Sequence, residues 1–280
     1  MSATKLLLGG LAFPEGPRWH NDKLWFSDMH AHTVLTVDMN GRTQTVADVP
    51  AWPSGLGWLP DGRLLIVSMT DRRLLRLDDD GLKVAADLSK LASFHCNDMV
   101  VDGKGRAYVG NFGYDLISGA SPKPAELVLV TPDGAARVAA RDLEFPNGAV
   151  VTPDGRTLVV AESMGHRLTA FTIADDGALS NRRVWAELGG GVPDGIALDA
   201  ENAIWVASPM TRELLRVREG GAIAERAKFD LMPIACALGG PGRKTLFILL
   251  AESIDPDECR AKLSARIETM AVAAAGAGWP

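Results

Sequence analysis

Six residues recur at one position of a repeating frame: Glu15, Ser54, Asn97, Asn147, Asp194 and Ala235. Four of them, Glu15, Asn97, Asn147 and Asp194, offer strong oxygen acceptors, and the column contains no Lys or Arg. Oxygen-only donors with two carboxylates suit a hard divalent cation, Ca²⁺ first, then Mg²⁺ or Mn²⁺, with Zn²⁺ or Fe²⁺ as further alternatives. Positions that such a set leaves open are what catalysis requires. Asn and Asp between Pro and Gly are ordinary turn residues. Glu15 has no such role, and an inward-pointing carboxylate is costly unless it is paired or bound to a cation. The column, rather than any one member, carries the reading.

Other candidate groups are weaker. His30-x-His32 falls in an expected turn with no third ligand in view, and reads as a solvated loop. The chain has no Gly-x-Ser-x-Gly and no His-Glu-x-x-His, which weakens serine-esterase and zinc-protease readings. Cys96 and Cys236 lie near the ring in the third and sixth repeats and read as buried small hydrophobes. With Cys259 they make three cysteines, odd in number and not spaced as a zinc cluster, which suits a reducing cytoplasm.

The column is set by repeats such as Phe13-Pro14-Glu15-Gly16, Trp52-Pro53-Ser54-Gly55, Phe145-Pro146-Asn147-Gly148 and Val192-Pro193-Asp194-Gly195, with weaker copies around Cys96-Asn97-Asp98 and Pro233-Ile234-Ala235. Successive markers are 39, 43, 50, 47 and 41 residues apart. Pro60-Asp61-Gly62 and Pro153-Asp154-Gly155 supply turn chemistry before second strands. The first repeat reads as four strands, Glu15–His20, Lys23–Asp28, Thr33–Asp38 and Thr43–Asp48.

Four strands per repeat of this length is the size of a propeller blade. The expected fold is all-β: a six-bladed β-propeller with four-stranded antiparallel blades in one domain, 1–280, with blades near 13–51, 52–94, 95–144, 145–191, 192–232 and 233–280. The strand 4–8 supplies a missing strand of the sixth blade. Only Pro256–Met270 looks helical, or else forms a loop across the last blade. Segment 111–124 accounts for the longest repeat and reads as either a lid or a surface insert. Trp19, Trp25, Trp58 and Trp205 sit in strand patterns and are expected in the core between blades.

Composition agrees with this class. The 280 residues carry 29 Lys and Arg against 35 Asp and Glu, a formal charge of −6, without any basic block that would mark a nucleic-acid partner. Leu6-Leu7-Leu8 is too short for a signal-peptide core, and no apolar run reaches the roughly 20 residues of a membrane helix. A cytoplasmic monomer or small homo-oligomer acting on a small molecule, away from membranes, is the expectation.

Phe13-Pro14-Glu15-Gly16-Pro17-Arg18-Trp19, Leu24-Trp25-Phe26-Ser27-Asp28, Cys96-Asn97-Asp98, Pro146-Asn147-Gly148 and Pro193-Asp194-Gly195 in this order resemble the SMP-30/gluconolactonase/LRE (regucalcin-like) family over essentially the whole chain. The resemblance implies a six-bladed propeller with one divalent metal in its channel that hydrolyses sugar lactones or related esters. It assigns Glu15, Asn147 and Asp194 as metal ligands, Asn97 as a substrate contact close to the metal, and Asp194 also as the catalytic base. The implied chemistry is polarisation of the lactone carbonyl and attack by an activated water.

His95 stands where sugar-lactone members often carry Arg, which removes a charged fork suited to hydroxyls. It is read as a substrate-binding residue that hydrogen-bonds the lactone or transfers a proton. With Trp52 and Phe112 nearby, a less polar lactone becomes an alternative to a sugar lactone. Hydrolysis of another ester or an organophosphate, or a non-catalytic Ca²⁺-binding or interaction propeller, are the competing functions.

Overall fold

The computed structural model describes residues 3–116 and 118–277. Ile117, within segment 111–124, and residues 278–280, at the end of the sixth repeat, lie outside the described residues. Six four-stranded antiparallel sheets follow one another along the chain as the blades of a propeller. Blade 1 consists of Pro14–His20, Lys23–Asp28, Thr33–Val37 and Thr43–Asp48, each within one residue of the strand expected from sequence.

The inner strands of blades 2 to 6 are Pro53–Trp58, Cys96–Val101, Pro146–Val151, Ile196–Leu198 and Met232–Gly239. They are almost wholly buried, as strands covered on both faces must be. Outer strands such as Thr43–Asp48 and Ile223–Lys228 are largely exposed and polar. Each blade therefore runs from a buried inner strand, which carries polar side chains such as Glu15, Asn97 and Asn147, to a largely polar rim, and the apolar core lies between neighbouring sheets.

Close approach around the axis explains the glycines that follow the marker residues. A Cβ on Gly55 would lie 2.4 Å from the Met99 nitrogen, and one on Gly148 would lie 2.6 Å from the Asp194 carbonyl oxygen. The Gly148 amide donates to that same oxygen at 3.2 Å, which ties blade 4 to blade 5 at the level of the marker ring. Gly148→Ala is expected to cost about 3 kcal/mol and lower Tm by roughly 5–10 °C, because only backbone is available to give way. A thermal melt checks this; an unchanged Tm would show that the inner strands are not in tight register.

The ring closes through Lys5–Leu11, which pairs antiparallel with Ala265–Ala271 as the outermost strand of blade 6. The sequence expectation for Pro256–Met270 is corrected here. Only Pro256–Lys262 is helical, and the chain then becomes the third strand of the blade. Asp255 caps the helix by accepting from the amides of Asp257 and Glu258 at 3.0 and 2.9 Å. Leu263 ends it in a left-handed conformation, φ 47°. Arg266, which continues the helical charge spacing, instead pairs with Asp230 and Glu268 from the strand.

Trp205 is fully buried, and Trp19 stacks on Phe247 with ring centroids 5.3 Å apart. Trp25 and Trp58 are only half-buried and meet edge to face at 5.4 Å beside His20.

Candidate active site

The channel centre is built from the starts of the inner strands. Glu15, Asn97 and Asn147 are buried there, and Asp194, two residues ahead of its short strand, is partly buried. Ser54 and Ala235 complete the ring and are also buried. Glu15 and Asp194 lie close enough to influence each other electrostatically, and both feel Asp98. Burial, the nearby Asp194 and the nearby Asp98 raise the Glu15 carboxyl well above its usual range. Burial first and Asp98 second push Asp194 up to about 8, against a hydrogen bond from the Asn147 side chain that lowers it.

Asn147 is aimed by its neighbours. Its Nδ2 donates to Ser163 Oγ at 3.3 Å, and that hydroxyl donates to the Pro193 carbonyl at 2.6 Å. With Nδ2 also engaged by Asp194, the amide oxygen remains for the channel.

Asp98 and Arg18 join the site from beside two marker positions. The Arg18 guanidinium pairs with Asp98 Oδ1 at 3.2 Å and donates to the Met99 and Pro17 carbonyls, in a pair that is nearly inaccessible on both sides. Asp98 Oδ1 also accepts from the Met99 amide at 2.8 Å. Arg18 is thus a fixed cation paired with Asp98 and close enough to Glu15 to lower its pKa against the effect of burial. Its partner lies 80 residues away on the next-but-one inner strand, so chain position alone does not single it out.

A second device anchors the backbone before four of the six markers, Glu15, Asn97, Asn147 and Asp194. The last residue of the second strand accepts a hydrogen bond from the backbone leading into the inner strand: Asp28 from Ala12 and Phe13, Asn111 from Phe94, Glu162 from Glu144 and Ser208 from Val192. These residues lie 13 to 15 positions after their markers, so a column of side-chain acceptors was present in the sequence beside the marker column. Glu162 is itself held by Arg167 and Arg182 at 3.0 and 3.1 Å.

The residues that lead into the inner strands of blades 1 to 4, Phe13, Trp52, Phe94-His95 and Phe145, are aromatic, at the end of each strand that carries the marker. His30 lies 4.9 Å from Phe13 and 5.0 Å from Trp52, centroid to centroid. Phe112 stacks on Phe145 at 4.6 Å, and His95 stacks on Phe94 at 4.1 Å and stands 6.4 Å from Phe112. The solvated-loop expectation for His30-x-His32 is corrected for His30, which is 3% exposed. Burial lowers its pKa to about 4 and its other ring nitrogen bonds the Ile254 carbonyl, so it is a neutral member of the aromatic wall. His95 is also lowered by burial. Cys96 and Cys236 are buried, as expected, and desolvation pushes the Cys96 thiol up to about 12, far from a reactive thiolate.

The donor set fits a hard divalent cation. Among the described residues Asp194 Oδ1 is inaccessible and has no hydrogen-bond partner, so ionising this carboxyl creates a buried charge that a bound cation would offset. Among the described residues no three His, Cys, Asp or Glu side chains converge as a ready cluster. The candidate set is mixed, with an amide oxygen as third donor and Asp98 tied to Arg18.

Fold and channel together define a six-bladed propeller with an acidic, oxygen-lined centre. The chain belongs to the family described as SMP-30/Gluconolactonase/LRE-like, which it matches over residues 13–252. It is 24% identical to a 6-deoxy-6-sulfogluconolactonase of Pseudomonas putida over 84% of this chain and 81% of that one. It is 23% identical to regucalcin of Xenopus laevis over 87% and 85% of the two chains. Among solved structures, a calcium-binding regucalcin from Agrobacterium tumefaciens superposes with a TM-score of 0.83 at 22% identity, covering 100% of this chain and 97% of that one.

Proposed function

We propose that the protein is a divalent-metal-dependent hydrolase that opens lactone rings, with Glu15, Asn147 and Asp194 as metal ligands and Asn97 and His95 as substrate contacts. The observation that carries this reading is the partnerless, inaccessible Oδ1 of Asp194 beside the buried Glu15 carboxyl. Relatives named as a sulfogluconolactonase and as regucalcins support lactone chemistry and a divalent ion, Ca²⁺ first. A cation bound there supplies Lewis acidity toward a carbonyl oxygen and stabilises negative charge on it.

The protein's own groups divide the remaining work. Asp194 would accept a proton from the attacking water and return it to the ring oxygen as the acyl C–O bond breaks, giving the hydroxy acid, while Asn97, at the start of the blade 3 strand, orients the lactone. His95 bonds the substrate through a neutral ring, consistent with its lowered pKa. Arg18 holds Asp98 in place and limits the negative charge near Glu15.

Both carboxylates are raised in the metal-free protein, so cation binding must displace protons and tightens as pH rises. Protein stripped with a chelator is expected to lose hydrolysis of a lactone panel and to regain it with one of Ca²⁺, Mg²⁺, Mn²⁺, Zn²⁺ or Fe²⁺. Proton release, corrected for spontaneous opening, measures this. Turnover indifferent to chelation would overturn the assignment.

An organophosphate reading is favoured by one finding: 27% identity to a diisopropyl-fluorophosphatase of Loligo vulgaris over 200 residues. Fluoride release in the same metal series separates the two.

A further inference from the structure

We infer that the substrate carries an aromatic or similarly flat apolar group on or fused to its lactone ring, held by the aromatic collar at the starts of the inner strands; this rests on the hydrolase reading above. The collar residues are supplied by different blades, around the strand starts that carry the candidate catalytic residues. Phe13 and Trp52 flank one side with His30, and Phe112 and Phe145 stack on the next. Trp52 and Phe112, from blades 2 and 3, pack against one buried cluster that also contains Phe13, so the two walls join.

Two further observations separate this collar from ordinary core. Trp52 and Phe145 both stand immediately before a proline in left-handed backbone, φ 66° and 61°. Bulky side chains rarely tolerate that conformation, and it persists where the surroundings over-determine it, commonly at ligand sites. The walls also hold inaccessible polar atoms without hydrogen-bond partners among the described residues: Nδ1 of His30, Nδ1 of His95 and the Tyr114 hydroxyl. Tyr114 lies against Phe145, ring centroids 6.0 Å apart. An aromatic enclosure with a few unsatisfied polar atoms is the character of a small-molecule site.

The chemistry of the walls selects among lactones. A polyhydroxylated ring needs many donors and acceptors to replace its water, and leaving its hydroxyls unpaired against Phe and Trp is costly. Burial lowers the His95 pKa, and its ring stacks on Phe94 at 4.1 Å, so this wall offers a neutral ring face rather than a charged fork. Stacking rewards a flat apolar group at this point.

The test compares a benzo-fused δ-lactone (dihydrocoumarin), unsubstituted δ-valerolactone and an aldonolactone with the metal-restored protein. The benzo-fused lactone is expected to exceed the aldonolactone in kcat/KM by roughly 100-fold. Phe112→Ala and, as a second variant, Trp52→Leu should each lower the benzo-fused to δ-valerolactone ratio roughly tenfold. His95→Arg should move preference toward the aldonolactone. An aldonolactone turned over as well as the benzo-fused compound would overturn the inference and leave the hydrolase reading standing.

Absence of turnover on all three lactones counts against the hydrolase reading instead. The collar is then judged by calorimetric binding of the ring-opened aryl hydroxy acid against gluconate. Tighter binding of the aryl acid supports it, and equal or weaker binding overturns it.

Discussion

Asp194→Asn is expected to reduce metal-dependent lactone hydrolysis roughly 10³-fold or more while leaving the metal-free protein at least as stable as the wild type at neutral pH. The substitution keeps the shape of the side chain and one oxygen but removes the proposed proton acceptor and the charge of a proposed ligand. The stability half of the expectation follows from linkage. The folded-state pKa of Asp194 is raised to about 8 from a usual value of 3.8.

A raised carboxyl is favourable to the fold while protonated, so its contribution is fully present below about pH 4 and is lost as pH climbs through about 8. Metal-free wild type should therefore weaken across that window, by an amount on the order of several kcal/mol, and the Asn variant should weaken less. Denaturant melts at pH 5 and pH 8 on both proteins measure the difference. An active Asn variant would remove Asp194 from the mechanism; identical pH dependence in both proteins would remove it from the buried acidic set.

Arg18→Met should produce the largest loss of stability of any single substitution near the channel, roughly 3–5 kcal/mol, because it leaves Asp98 buried without its cation. Asp98 would then face Glu15 and Asp194 with nothing to offset three carboxylates. The same change should strengthen divalent-cation binding, so saturating Ca²⁺ ought to raise Tm more in the variant than in the wild type. Thermal melts with and without Ca²⁺ check both signs. A variant as stable as the wild type and no more responsive to the cation would show that Arg18 does not support the site. The companion Asp98→Asn should relieve much of the damage in an Arg18→Met background, since the residue left unpaired is then neutral.

The architecture was legible because a propeller repeats its instructions. Six marker positions and the turns after them were enough to place the blades, and the four strands of blade 1 fall within a residue of expectation. The last blade was harder, since its third strand follows an inserted helix and its fourth comes from residues 5–11, so no single stretch of sequence displays it. Glu15, Asn97, Asn147 and Asp194 were legible as a column because equivalent positions around an axis must converge. Arg18 and Asp98 were not, since their role arises from a pairing across 80 residues between an inner strand and the next but one. His30 was misjudged for a related reason. A short turn looks solvated in one dimension, and its burial comes from Phe13, Trp52 and the 254–260 segment folding over it.

The pairing of residues 5–11 with 265–271 also sets the order of events during synthesis. Residues 5–11 leave the ribosome some 250 residues ahead of the strand they pair with. At roughly 5–20 residues per second, that strand and its Leu6-Leu7-Leu8 run wait for tens of seconds as an unpaired edge. Until the final blade is translated, the growing propeller is an open arc whose two ends can pair with other chains as readily as with each other. A newly made chain is therefore most exposed to aggregation just before completion, and its safeguard is the speed with which one hairpin and one returning strand close the circle.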